Sequence, residues 1–227
     1  MTILGIETST AVCSVGLANE IGLQSERSLV ESHIHSEKLL TLIQELCDEK
    51  KMKLSQLDGV AVSLGPGSFT GLRIGLSTAK GLCFALEKPL IAVPTFASIA
   101  KSAILLHPDY KRIVVCIDAK QREYYIGVYE QNDRIVREVS PVHIANLSSA
   151  LATASAKTLV LTDRMDEVKT KSGDSIMVAD VFTYCRGDTI ARMAIEQWNA
   201  GERNVWGQLE PIYLKDFVVR AQVKLEK

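Results

Sequence analysis

Ile3-Leu4-Gly5-Ile6-Glu7-Thr8-Ser9-Thr10-Ala11-Val12-Cys13-Ser14-Val15-Gly16-Leu17-Ala18-Asn19-Glu20-Ile21-Gly22 is the stretch on which the fold turns. It holds two β-like runs, Ile3 to Glu7 and Val12 to Ala18, and leads into a third, Gly22 to Ser28. The links between them, residues 8–11 and 19–21, suit antiparallel neighbours, because a parallel connection needs a crossover of a dozen residues or more.

Beyond Ser28 the period changes. A helical run from about Ser36 to Lys51 has Ser36 as its N-cap and Leu39, Leu42, Ile43, Leu46 and Cys47 at helical spacing. Gly59-Val60-Ala61-Val62-Ser63-Leu64 follows, an almost unbroken apolar run of the kind that marks a strand covered on both faces. A Gly-rich turn opens a second helix, about Phe69 to Leu86. Leu90 to Val93 is a short strand, and a third helix starts at Thr95 behind Pro94. The order is βββαβαβα. Three antiparallel strands extended by parallel ones through helical crossovers make the ribonuclease-H-like sheet of the actin and sugar-kinase (ASKHA) superfamily.

After residue 106 the order restarts. Arg112 to Asp118 reads as a strand, with Tyr124 to Tyr129 and Arg134 to Val139 as hairpin neighbours, and Asp118 repeats the place of Glu7 near a strand end. Leu159 to Thr162 is a strand and Asp166 to Asp174 a polar loop. Asp188 caps a helix with Ile190, Ala191, Ala194, Ile195 and Trp198 on one face, stopped near Gly201. One crossover helix fewer is found than a full copy needs. The expected fold is α/β, two-lobed and actin-like, with an abridged second lobe: residues 1–106 and 107–227, the last segment packing back on the first lobe.

Apolar residues make up 47% of the 227 and charged residues 23%, which excludes a disordered chain. The net charge of −1 speaks against a protein that grips RNA alone, since phosphate neutralisation supplies most of that affinity. Five scattered cysteines, Cys13, Cys47, Cys83, Cys116 and Cys185, form no CxxC pair and read as buried thiols of a reducing compartment. Met1 to Glu7 carries no basic leader, and no apolar run approaches the ~20 residues that span a bilayer. The expectation is a cytoplasmic protein with no membrane contact.

The most distinctive motif is Ser63-Leu64-Gly65-Pro66-Gly67-Ser68-Phe69-Thr70-Gly71-Leu72-Arg73-Ile74-Gly75. It has the strand-to-helix setting of a phosphate loop, but Leu72 and Arg73 follow Gly71 where a Walker loop has Lys and Ser or Thr. Two readings stand. The free N–H groups of the helix start hold an anion; or the segment is a tight turn in which Gly65 and Gly67 take angles other residues avoid and Ser68 or Thr70 caps the helix. The helix it opens has Gly71, Gly75, Thr78, Ala79 and Leu82 on one side and Arg73, Ser77, Lys80 and Phe84 on another. This helix and the one before it carry more apolar surface than one contact needs, which means either a subunit interface or a thick internal core.

The remaining candidates are weaker. His33 and His35 are two apart, where a helical metal pair needs three or four, and His107 and His143 match no pattern. Neither a metal nor a cofactor is expected. Gly65 to Phe69 is out of register with a GxSxG nucleophile elbow. Glu7, Thr8, Ser9 and Asp118 are candidate nucleotide-cleft residues, although neither acid is followed by the glycine of a phosphate-binding turn. The tail residues Lys215, Arg220, Lys224 and Lys227, set against Asp216 and Glu226, read as solvated surface.

Taken together, Gly5-Ile6-Glu7-Thr8-Ser9, His35-Ser36-Glu37-Lys38-Leu39-Leu40, the Ser63–Gly75 motif, Ala92-Val93-Pro94-Thr95, Asp118-Ala119 with Glu123-Tyr124-Tyr125, and Pro211-Ile212-Tyr213-Leu214-Lys215 resemble the TsaB (YeaZ) family. Arg122 departs from it, standing where many relatives have glycine. The resemblance implies a two-lobed actin-like fold and a part in making threonylcarbamoyladenosine beside the anticodon of tRNA. It also implies a non-catalytic scaffold or dimerization subunit: the transferase chemistry belongs to a homologous TsaD-type partner, and a TsaE-type ATPase joins the assembly. tRNA is met only through the complex. Pairing with TsaD, or with a second copy, runs through the two helices, for which Leu39, Leu42, Ile43, Leu46, Gly71, Leu72, Gly75, Ala79 and Leu82 are the expected contacts. On that expectation Gly75→Glu abolishes pairing and leaves the fold intact. The alternative is a nucleotide-binding ATPase or kinase-like enzyme acting through Glu7 and Asp118.

Overall fold

The computed structural model describes residues 1–132, 135–152, 154–155, 157–172, 176–202 and 206–215, with the backbone alone for 23, 24 and 206. Three strands open the chain: β1 (Thr2–Glu7), β2 (Val12–Asn19) and β3 (Gly22–Val30). Then come α1 (His35–Glu49), β4 (Gly59–Ser63), α2 (Phe69–Leu86), β5 (Leu90–Val93) and α3 (Thr95–Leu106). The second half repeats the plan: β6 (Arg112–Asp118), β7 (Tyr124–Asn132), β8 (Ile135–Ala145), α4 (Leu147–Ala152), β9 (Thr158–Thr162), α5 (Met165–Ser172), β10 (Met177–Asp180) and α6 (Gly187–Asn199).

The strand orders are β3-β2-β1-β4-β5 and β8-β7-β6-β9-β10. In each sheet the first three strands pair antiparallel and the last two join in parallel. This is the doubled actin-like α/β architecture expected from the order of elements. The second copy has every strand of the first, and its crossover helices have 6 and 8 residues where those of the first copy have 15 and 18.

Hydrophobic packing explains the layers. Leu39, Leu42, Ile43 and Leu46 of α1 and Leu76 and Ala79 of α2 meet Leu4, Ile6, Val60 and Val62 on one face of the first sheet. Its other face, Ile3, Ala61 and Ile91, is covered by Ile190, Ala191, Ala194 and Ile195 of α6. On the second sheet, Phe96, Ile99 and Ala103 of α3 cover Ile113, Val115 and Leu159. Leu147 and Ala150 of α4 and Val168 of α5 lie on the opposite face. Helices α3 and α6 thus lie between the sheets, each on the sheet of the other half.

Several local expectations need correcting. Ser36 is not the cap of α1: the helix starts at His35 behind Ile34, whose carbonyl accepts from Glu37 and Lys38. His35 is drawn in by its own bond, Nε2 to the Val12 carbonyl at 3.1 Å. Asp188 lies inside the first turn of α6, where its carboxylate takes the Arg186 Nε at 2.9 Å, and Arg186 holds the cap position. The stretch read as a polar loop is α5, up to Ser172; Asp174 lies outside the described residues, as does Arg134. Acids in the first turn of α5 (Asp166, Glu167) and lysines in the last (Lys169, Lys171) suit the helix dipole. A Lys171–Glu167 pair at 3.2 Å adds the i,i+4 contact. Val168 alone is buried, so the helix shows almost no apolar period. This crossover, the shorter α4 and strand β10 are all absent from the sequence reading. No helix among the described residues is long and apolar enough to cross a membrane.

Candidate functional site

The Gly-rich segment joins β4 to α2 and packs on the turn between β1 and β2. Gly65 has φ +109°, with a cis peptide to Pro66. Gly67 differs from the expectation: its φ is not in the left-handed region, and what excludes a side chain is space, since a Cβ would lie 2.3 Å from the Ser9 carbonyl oxygen. That carbonyl accepts from Ser68 N at 2.7 Å, Ser68 Oγ caps the helix by accepting from Gly71 N at 3.2 Å, and Thr8 Oγ1 donates to the Gly71 carbonyl at 2.9 Å. Two of the amides that an anion at the helix start needs are therefore held by protein acceptors. The tight-turn reading, with Ser68 as cap, describes the segment.

Glu7 stands at the end of β1 with no exposed surface. Its Oε1 accepts from Ser9 N at 2.6 Å and from Ser9 Oγ, while Oε2 meets no donor in hydrogen-bond geometry among the described residues. Burial pushes the carboxyl above its ordinary range, against the opposing effect of the Ser9 bonds. Asp118, at the matching end of β6, is in a different state. Partial burial pushes its carboxyl up, but bonds from Arg164 and Lys120 outweigh that and hold it below the usual carboxylate range. Arg164 Nε reaches Asp118 Oδ2 at 3.1 Å, Lys120 N reaches Oδ1 at 2.7 Å, and Asp163 accepts from Asp118 N at 2.9 Å. Thr8 and Ser9 are buried with Glu7. Each of the four cleft candidates is thus bound to its own lobe.

The turn after Asp118 is unusual. Lys120, Gln121 and Arg122 have φ of 66°, 60° and 63°, three consecutive side-chain-bearing residues in the region that glycine favours. Arg122, the position at which the sequence departs from the family resemblance, is one of them.

Helices α1 and α2 require a second correction. Leu39, Leu42, Ile43, Leu46, Leu72 and Ala79 are 0–5% exposed, and Gly71 and Gly75 are buried. Leu82 packs partly buried on the same cluster. The apolar surplus fills the chain's own core. A Cβ on Gly75 would lie 2.2 Å from Thr8 Oγ1, so Gly75→Glu perturbs the fold before it reaches any partner. The outward-facing apolar groups of these helices are Leu40, 61% exposed, and Phe84, 73% exposed. Near the start of α2, Arg73 lies over the Phe69 ring at 3.8 Å and donates Nε to Tyr213 Oη at 2.9 Å.

The histidines do not converge. His35 bonds Val12, His107 Nε2 meets Tyr184 Oη at 2.9 Å, and His143 Nδ1 meets the Pro141 carbonyl at 3.1 Å. Among the described residues no group of three or more His, Cys, Asp or Glu could hold a metal ion. All five cysteines are buried thiols.

With this geometry in view, similarity to known proteins decides the family. The model of the family described as "TsaD: tRNA N6-adenosine threonylcarbamoyltransferase" matches residues 29–182. The tRNA threonylcarbamoyladenosine biosynthesis protein TsaB of Buchnera aphidicola subsp. Baizongia pistaciae is 30% identical over 151 residues, 66% of this chain and 68% of the relative. The chain belongs to the TsaB family. TsaB of Haemophilus influenzae is 33% identical over 138 residues, 61% of this chain, and the match spans 55% of that relative's length. The solved structure of YeaZ from Pseudomonas aeruginosa superposes with a TM-score of 0.81 at 27% identity, covering 94% of this chain and 99% of that one.

Sequence reasoning missed Arg164, which neutralises Asp118 from 46 residues away, and nothing in either segment signals that pairing. It also missed the contact of Tyr213 with Phe69 and Arg73, although Pro211-Ile212-Tyr213-Leu214-Lys215 is part of the family resemblance.

Proposed function

We propose that this chain is the non-catalytic scaffold subunit of a tRNA threonylcarbamoyladenosine-forming assembly, with lobes divided at residue 106. In this reading it pairs with a TsaD-type transferase, or with a second copy, through α1 and α2. A TsaE-type ATPase works with the pair, and tRNA is met only in the complex. Membership of the TsaB family carries the reading. Three features agree with it: the net charge of −1, histidines dispersed among separate partners, and exposed Leu40 and Phe84 on neighbouring helices. The kinase-like alternative has less support, because Glu7 is sealed in the core and Asp118 is paired with Arg164.

The contact surface in this proposal is the outer ridge of the helices, with Leu40, Arg73, Ser77 and Phe84, in place of the buried positions expected from periodicity. The test is affinity for the catalytic partner after Leu40→Glu with Phe84→Glu. Each side chain contributes about 1.5–3 kcal/mol when fully buried, so pairing weakens at least about a hundredfold while the free chain unfolds at an unchanged temperature. Unchanged affinity in the double variant refutes this surface.

A further inference from the structure

We infer that residues 209–215 form a strap that ties α2 to the turn between β6 and β7 and thereby sets the conformation of that turn. The observation is a run of bonds across the two halves of the molecule. Lys80 Nζ, on α2, donates to the Leu209 carbonyl at 2.8 Å. Ile212 N donates to the Leu64 carbonyl at 2.8 Å, just before the Gly-rich turn. The Tyr213 ring lies 4.8 Å from that of Phe69 at an interplanar angle of 34°, and its hydroxyl takes Arg73 Nε.

Two residues later the chain is bonded to the other half. Lys215 Nζ donates to the Ala119 carbonyl at 3.0 Å and to Glu123 Oε2 at 2.7 Å, with a longer contact to the Lys120 carbonyl at 3.4 Å. The ammonium has three protons, and three acceptors on one turn surround it.

The place where it binds gives the strap its consequence. Lys120, Gln121 and Arg122 are in the left-handed region, which side-chain-bearing residues enter only at a cost in free energy. Such a turn persists when its surroundings over-determine it. Here those surroundings are three internal bonds, Ala119 N to the Glu123 carbonyl at 2.8 Å, Glu123 N to the Lys120 carbonyl at 3.1 Å and Lys120 N to Asp118 Oδ1 at 2.7 Å, together with Lys215. The strap's other end rests on Lys80 and on Arg73 of α2, the latter part of the ridge proposed for partner contact. A partner that displaces Tyr213 therefore loosens the turn beside Asp118, and a ligand that stabilises the turn holds the strap. The strap itself does not depend on the proposed function.

Amide hydrogen exchange tests it on the full chain, read at Ala119, Lys120 and Glu123. Lys215→Met removes the ammonium and keeps the stem. Tyr213→Ala removes the ring and hydroxyl contacts nearest Lys215, leaves the Ile212 and Leu209 bonds in place, and touches none of the three amides. Both variants speed exchange at the turn by about tenfold or more, and the double variant is no faster than Lys215→Met alone, because both changes break one connection. Arg112 and Glu130, an ion pair at the other end of the same hairpin, exchange as in the parent in every variant and report that the lobe stays folded. If Tyr213→Ala leaves the turn unchanged, the Tyr213 contact with Phe69 and Arg73 does not reach the turn, and the inferred coupling between α2 and the turn is overturned. If Lys215→Met leaves it unchanged, the turn needs no outside support, and the inference fails at its first step.

Discussion

Gly75 and Gly81 lie six residues apart on α2, and replacing each with alanine gives opposite results. A methyl group at Gly75 meets Thr8 Oγ1 at 2.2 Å, whereas at Gly81 it meets nothing within 4 Å among the described residues. Both changes gain the preference of alanine over glycine in a helix interior, about 0.8–1 kcal/mol. Gly81→Ala keeps that gain. Gly75→Ala must displace Thr8, whose hydroxyl bonds the Gly71 carbonyl. Overpacking costs about 1–3 kcal/mol and the lost bond about 1 kcal/mol. The net loss is about 1–3 kcal/mol. In a chain of this size each kcal/mol moves the midpoint by about 2–4 °C. Gly81→Ala therefore raises Tm by about 2–4 °C and Gly75→Ala lowers it by about 2–12 °C. Thermal unfolding followed by circular dichroism, with urea midpoints as a second measure, reads both. If Gly75→Ala melts at or above Gly81→Ala, α2 does not seat on the β1–β2 turn as described.

Other outcomes follow from buried groups and the cap. Because burial raises the Glu7 carboxyl, the folded state holds its proton to higher pH than the unfolded state does, so the contribution to stability is full below the ordinary glutamate value and falls as pH rises through the folded value. Glu7→Gln keeps the acceptor for Ser9 and flattens that dependence; wild type and variant showing parallel Tm-against-pH curves would contradict it. All five thiols are buried, with Cys116 pushed up to about 12, so none is alkylated by iodoacetamide at pH 8 in the native protein and all five are in denaturant. Rapid native labelling of any one would show that its burial is misjudged. Ser68→Ala removes the cap of α2 and costs about 1 kcal/mol, or about 2–4 °C in Tm; a Tm equal to the parent's counts against that cap.

Much of the fold was legible because the first half obeys simple periods. Short links between Ile3, Val12 and Gly22 forced antiparallel neighbours, and the apolar run at Gly59 to Leu64 announced a strand covered on both faces. The second half was harder to read. Helix α5 presents one buried residue, Val168, and is held by end charges and an ion pair, so its sequence looks like a loop. The start of α1 is set by a bond from His35 to Val12, across 23 residues, which no local cap signal records. The site was less legible than the fold. Periodicity marks an apolar stripe but not what it faces, and Leu39, Leu42, Ile43 and Leu46 turned out to face the chain's own sheet. Leu40 and Phe84 lie off that stripe and are exposed. The state of Asp118 depends on Arg164, a contact that exists only after folding.

The central claim is tested most directly by reconstituting threonylcarbamoyladenosine formation on tRNA with a TsaD-type transferase, a TsaE-type ATPase and the threonylcarbamoyl donor, with and without this chain. The account predicts that product forms only when the chain is present, that the chain alone turns over nothing, and that the Leu40→Glu, Phe84→Glu variant fails to support the reaction. Equal product without the chain would contradict the scaffold role, whatever the fold.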